Sequence, residues 1–135
     1  MYKLIVAPID LTAPEVSERI LARTLFHLNN SQCEVYFLSV APVNANDMSL
    51  DQTRSELMAF AHEHISAHEG RIHLEIIQGK PSSSILSFAE AKKANCIIVG
   101  AHRGTNQLGL NSLGSTAAIV AAQAPSDVYI VKDIT

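Results

Sequence analysis

The sequence predicts an α/β domain built on a mostly parallel sheet with helices on both faces, and three observations carry that prediction. Short apolar, β-branched runs alternate with runs of helical period from one end of the chain to the other. Every segment between neighbouring apolar runs is long enough to be the crossover that parallel strands require. The run Cys96-Ile97-Ile98-Val99 is apolar without alternation, as in strands covered on both faces.

The elements follow in order. Lys3 to Pro8 is a β-branched strand closed by Pro8 and Asp10. Thr12-Ala13-Pro14-Glu15 is a helix entrance, with a hydroxyl able to cap and a proline early in the first turn. Val16, Ile20, Leu21, Thr24, Leu25 and Leu28 recur at helical spacing until Asn29-Asn30 stops them. Cys33 to Val40 is the second strand, ended by Ala41-Pro42, and the polar stretch Asn44 to Ser49 reads as loop. From Leu50 to about His68 a second helix carries Leu57, Met58, Ala61 and Ile65 inward, and Gly70 ends it. Ile72 to Ile77 is the third strand; Gly79-Lys80-Pro81-Ser82 turns into a helix that reaches Ala94 with Ile85, Leu86, Phe88 and Ala89 inside. Cys96 to Val99 is the fourth strand, Gly100 to Leu113 a glycine-punctuated loop, and Ser115 to about Gln123 a short Ala-rich helix. Pro125 breaks that helix, and Val128 to Val131 is the last strand. Right-handed crossovers then distribute the helices over both faces.

At 135 residues the chain is expected to be one domain, 1–135, and its 47% hydrophobic and 17% charged residues allow a packed core. A formal net charge of -3 without a basic block argues against duplex nucleic acid as a partner. The apolar N-terminal run is too short for a signal peptide, and no window approaches a membrane span, so a cytoplasmic location is expected. Cys33 and Cys96 each open a strand-like run, where the ordinary reading is a small buried hydrophobe; no C-x-x-C spacing supports a redox or metal pair.

Ligands of such sheets occupy the crevice beyond the carboxyl ends of the strands. The stretch from Val99 and Gly100 through Ala101, His102, Arg103 and Gly104 to Gly114, Ser115 and Thr116 is the informative one. Its glycines let main-chain amides approach a ligand, and Gly114-Ser115-Thr116 opens a helix whose first-turn N–H groups attract anions. His102 and Arg103 add donors, and phosphate is the anion that suits such a nest. The competing reading is a merely relaxed loop with Ser115 as an ordinary helix cap. Two sharper motifs are excluded: Gly109-x4-Gly114-Ser115 lacks the lysine of a P-loop, and no G-x-G-x-x-G follows the first strand. Asp10 ends the first strand, where a carboxylate can bond a ribose hydroxyl, help to hold Mg²⁺, or simply cap a turn. The acidic cluster and third-strand aspartate of receiver domains are missing. His64 and His68, with His62 nearby, share a helix face but lack a third ligand, so a solvated face is the simpler account. No Ser-His-Asp, Cys-His or paired-carboxylate constellation can be assembled.

Over almost its whole length the chain resembles the universal stress proteins. The resemblance runs through Ile5-Val6-Ala7-Pro8-Ile9-Asp10, Val35 to Val40, Ile97-Ile98-Val99-Gly100, Gly114-Ser115-Thr116-Ala117-Ala118 and Val128 to Val131. The family's nucleotide signature is G-x2-G-x9-G-[S/T]. Gly104, nine residues, Gly114 and Ser115 reproduce its second half, whereas Gly100 lies one residue too early and Ala101 holds its place. Ala101-His102-Arg103 is similar to a subgroup with a Ser-His-Arg run. The resemblance implies a three-layer sheet of order 3-2-1-4-5 with four helices, like the adenine nucleotide alpha hydrolases. It implies ATP, AMP or ADP in the crevice, with Asp10 at the ribose or a Mg²⁺ ion. Carried over by position, the Val40 backbone would read the adenine, and Gly104, Gly114, Ser115 and Thr116 would hold ribose and phosphates. Pro8, Ile9, Val99, Gly100, His102 and Arg103 would be the other expected nucleotide contacts. It further implies a homodimer paired through Val128 to Val131, an apolar edge that pairing with its own copy would cover. The expected function is a nucleotide-binding stress-response sensor or adaptor with slow or no hydrolysis. A dimeric interaction module of the same fold that binds no nucleotide is the alternative.

Overall fold

A computed structural model describes residues 2–101, 104–105, 111–112 and 114–132. Strand β1 (Leu4–Pro8) leads to helix α1 (Pro14–Asn30), β2 (Glu34–Ala41), α2 (Asp47–Ile65), β3 (Ile72–Gln78), α3 (Pro81–Lys92) and β4 (Cys96–Ala101). Two short strands, β5 (Gly104–Thr105) and β6 (Asn111–Ser112), precede α4 (Ser115–Gln123) and β7 (Asp127–Lys132). The main sheet runs β3-β2-β1-β4-β7, which is the order 3-2-1-4-5 counted over its own five strands, and every pairing in it is parallel.

Parallel strands joined by right-handed crossovers send α1 and α2 to one face, because the chain moves outward from β1 to β3. The return to β4 and on to β7 sends α3 and α4 to the other. The core divides accordingly. Ile5, Ala7, Ile9, Val35, Phe37 and Ile98 meet Val16, Ile20 and Leu28 of α1 and Leu57 and Ala61 of α2. Val6, Leu38, Ile97 and Val99 meet Ile85 and Ala89 of α3 and Ala117 and Val120 of α4. Ile5, Val6 and Ala7 are wholly buried because β1 is the middle strand, covered on both sides.

Several local expectations are refined. Thr12 does not cap α1: its amide and hydroxyl both donate to Asp10 Oδ1, at 2.9 and 2.6 Å, and the helix starts after Ala13 with Pro14 supplying its fixed φ. Helix α2 begins at Asp47 rather than Leu50, because the Asn46 side chain accepts from the Ser49 amide at 2.8 Å and so caps it. Met58 lies outside at 47% exposure, one position and about 100° of helix away from buried Leu57; Phe60 takes the core contact instead. Gly100 continues β4 rather than opening the loop, and between β4 and α4 an antiparallel ribbon pairs Gly104 with Ser112 and Thr105 with Asn111. No helix among the described residues is long and apolar enough to cross a membrane.

Candidate functional site

A cavity of about 480 Å³ opens across the carboxyl ends of β1, β2 and β4, within the range of small-molecule sites. Pro8, Ile9 and Asp10 reach it from β1 and its following turn, Val40 from β2, and Val99 and Gly100 from β4. Gly114, Ser115 and Thr116 reach it from the start of α4. The fold thus gathers nine of the residues singled out in the sequence around one space. Of the remaining three, His102 and Arg103 lie outside the described residues, and Gly104 stands in the ribbon.

The turn after β1 is fixed locally. Asp10 Oδ1 holds the amide and hydroxyl of Thr12, the Asp10 carbonyl accepts from Ser17 Oγ at 2.8 Å, and the Ile9 carbonyl accepts from buried Ser39 Oγ at 3.2 Å. Asp10 therefore does the turn-capping that position alone suggested, through one oxygen. Oδ2 makes no hydrogen bond among the described residues.

Gly114 is the N-cap of α4 and has no side chain to offer, so Ser115 is the first helical residue and not the cap. Among the described residues no acceptor meets the amides of Ser115, Thr116 and Ala117, and Ala117 lines the cavity with them. Those first-turn N–H groups and the positive end of the helix dipole make this wall of the cavity attractive to an anion.

Gly100 has a different role from the one its place in the loop motif suggested. A Cβ there would approach Val16 Cγ2 to 2.7 Å and Ile20 Cδ1 to 3.3 Å, so the residue is small in order that α1 can pack on β4. The cavity's other walls come from residues that no sequence motif marked. Ser49, Thr53 and Glu56 of α2 line it at helical spacing. Gln78, the last residue of β3, aims Nε2 at the carbonyls of Pro42, Val43 and Ala45 (3.4, 3.4 and 3.2 Å) and so positions the turn between β2 and α2. A polar stripe at positions 49, 53 and 56 beside the apolar stripe of α2 was the available signal.

Helix α2 ends at Ile65 rather than near His68, so His62 and His64 lie on it and His68 in the turn beyond. His68 Nδ1 takes a hydrogen bond from Arg71 Nη2 at 3.2 Å, which occupies a lone pair. No group of three or more His, Cys, Asp or Glu side chains able to hold a metal ion occurs among the described residues. Cys33 and Cys96 are buried free thiols, and burial pushes the Cys96 thiol up from its ordinary range.

A parallel sheet of this order with a crevice at its carboxyl end defines a class of ligand-binding α/β proteins. Residues 1–132 match the Universal stress protein family, and the chain belongs to that family. A universal stress protein of Methanocaldococcus jannaschii is 41% identical over 64 residues, 46% of this chain and 36% of that relative. One from Thermus aquaticus is 39% identical over 57 residues, 42% of this chain and 41% of the relative. The matched segments therefore span well under half the length of these relatives. Among solved structures, the universal stress protein from Archaeoglobus fulgidus in complex with dAMP superimposes with a TM-score of 0.74 at 20% identity. That match covers 97% of this chain and 98% of the other. A universal stress protein family protein from Arabidopsis thaliana with AMP bound gives 0.71 at 16% identity, covering 98% and 93%. At these identities the likeness is one of fold.

Proposed function

We propose that this protein is an adenine-nucleotide-binding stress-response module, a sensor or adaptor that hydrolyses ATP slowly or not at all. One observation carries the reading: the open first-turn amides of α4 and the Asp10 carboxylate border a single cavity of nucleotide size. Fold relatives in complex with dAMP and with AMP support the ligand class. In this reading Gly114, Ser115 and Thr116 hold phosphate, with Gly104, His102 and Arg103 contributing from the preceding segment. Asp10 Oδ2 bonds the ribose or a Mg²⁺ ion, and Pro8, Ile9, Val40, Val99 and Gly100 form the remaining wall. Slow turnover fits a site whose aspartate is already engaged by Thr12.

The same reading makes the chain one domain and a homodimer. Among the described residues β7 pairs with β4 and with no strand on its outer side, where Tyr129 is 40% exposed, and a second β7 would cover that edge. The cytoplasm suits its two free, buried thiols. The packing duty of Gly100 favours the competing account, a dimeric interaction module without nucleotide, since the approach of Val16 and Ile20 accounts for a glycine there without any ligand.

A thermal melt with ATP or AMP, with and without Mg²⁺, decides between them. Ligand at 100 times its Kd raises stability by about 2.7 kcal/mol. No shift at millimolar nucleotide would sink the proposal. Gly114→Asp sharpens the test: φ at Gly114 is -62°, so aspartate fits the backbone and caps α4 with its own carboxylate. The variant should melt no lower than wild type and lose the nucleotide response.

A further inference from the structure

The cavity has a direction. β2, β1 and β4 are neighbours in the sheet, so the start of α4, Asp10 and the end of β2 follow one another across roughly 10 Å, two strand spacings. An anion at α4 and a sugar at Asp10 leave the base over Val40 to Pro42, against α2. There the lining is apolar at Ala41, Pro42 and Ala45 and polar at Ser49, Thr53 and Glu56.

Resting on the nucleotide reading above, we propose that Glu56 selects the base by accepting a hydrogen bond from the exocyclic amine of a 6-aminopurine. Glu56 is an acceptor-only side chain whose carboxylate is oriented from within its own helix: Gln52 Nε2 donates to Oε1 at 3.1 Å. Oε2 makes no hydrogen bond among the described residues, and neither ion pair found among them includes Glu56. Thr53 spends its hydroxyl proton on the Ser49 carbonyl at 2.9 Å and so presents a lone pair as well. This end of the cavity therefore repels phosphate and asks for an N–H donor, the opposite of the end at α4. An amino group on a flat ring lying against Ala41 and Pro42 meets both demands.

The test compares AMP with purine riboside 5′-monophosphate, which differs only in lacking the 6-amino group, by isothermal titration of the full chain. Wild type should bind AMP about ten-fold or more tighter, as expected for a hydrogen bond to a charged group. Glu56→Ala, at an exposed helix position, should lower AMP affinity to that of the analogue and leave the analogue unchanged. Glu56→Gln, which keeps a carbonyl acceptor, should retain part of the preference. A preference that persists in Glu56→Ala, or none in wild type, overturns the assignment to Glu56 while the nucleotide reading stands. Failure of both ligands to bind wild type overturns the nucleotide reading and the role of Glu56 with it.

Discussion

At the amino ends of the strands, polar side chains are spent on the backbone. Asn95 Oδ1 accepts from the amides of Lys3 and Leu4, both at 2.9 Å, and ties β1 to β4. The Arg71 guanidinium donates to the carbonyls of Leu28, Ser31 and Cys33 at 3.0, 2.9 and 3.2 Å, closing the carboxyl end of α1 onto the start of β2. The Tyr2 hydroxyl donates to Asp127 at 3.0 Å, and that bond, aided by burial, pushes its pKa up to about 12. At the carboxyl ends, polar groups have no partner among the described residues: the first-turn amides of α4, one oxygen of Asp10 and one of Glu56. Both ends contain polar groups, but among the described residues it is the amino end whose groups are taken up by the protein itself. A saturated end stabilises; an open end can recognise.

Substitutions at the two ends should therefore separate stability from binding. The largest effect is expected at Arg71, which serves three carbonyls and the His68 ring from a part-buried position. Arg71→Ala should lower unfolding free energy by about 3 kcal/mol, measured by urea denaturation, and leave the nucleotide Kd unchanged. A stable variant with altered binding would break the comparison. Next come Asn95→Ala and Ser115→Ala as a pair. The first strands two amides and should cost about 1–2 kcal/mol without touching binding. The second removes a hydroxyl from an open helix start, so stability should stay within about 0.5 kcal/mol while nucleotide affinity falls several-fold. Identical profiles for the two would show that the ends are not functionally distinct.

The same division explains what was legible in the sequence. Strand and helix alternation is a repeated signal, and five of the six α1 residues picked out by spacing, Val16, Ile20, Leu21, Thr24 and Leu28, are buried. Leu25 is only partly covered, and Ser17 joins the buried set through its bond to the Asp10 carbonyl. The crevice was legible because parallel topology sends every β-to-α turn to one end, which collects Asp10, Val40 and Gly114 whatever their separation in the chain. Contacts set by only one or two atoms were not legible. Nothing in the sequence says that Gly100 faces Val16 rather than a ligand, or that Gln78 reaches back to Pro42. Glu56 was hidden for another reason: a carboxylate on the polar side of an amphipathic helix looks like a solvated residue until the cavity it lines is seen.

The smallest effect tests the saturated end by pH. His68 accepts from Arg71 only while neutral, and burial, then Arg71, then His64 hold its pKa below the ordinary 6.5. His27, lowered by burial and by Arg23, acts in the same direction. Because the unfolded chain takes up these protons more readily than the folded one, the contribution to stability is complete above about pH 6.5. It declines as the pH falls through the folded-state values. The melting temperature should therefore drop between about pH 7.5 and about pH 5.5. His68→Gln offers Arg71 an oxygen that does not titrate, so it should flatten part of that slope and leave the His27 share. A slope unchanged in His68→Gln would mean that the Arg71 cluster does not sense protonation, and that the stability of this end rests on the carbonyl contacts of Arg71 alone.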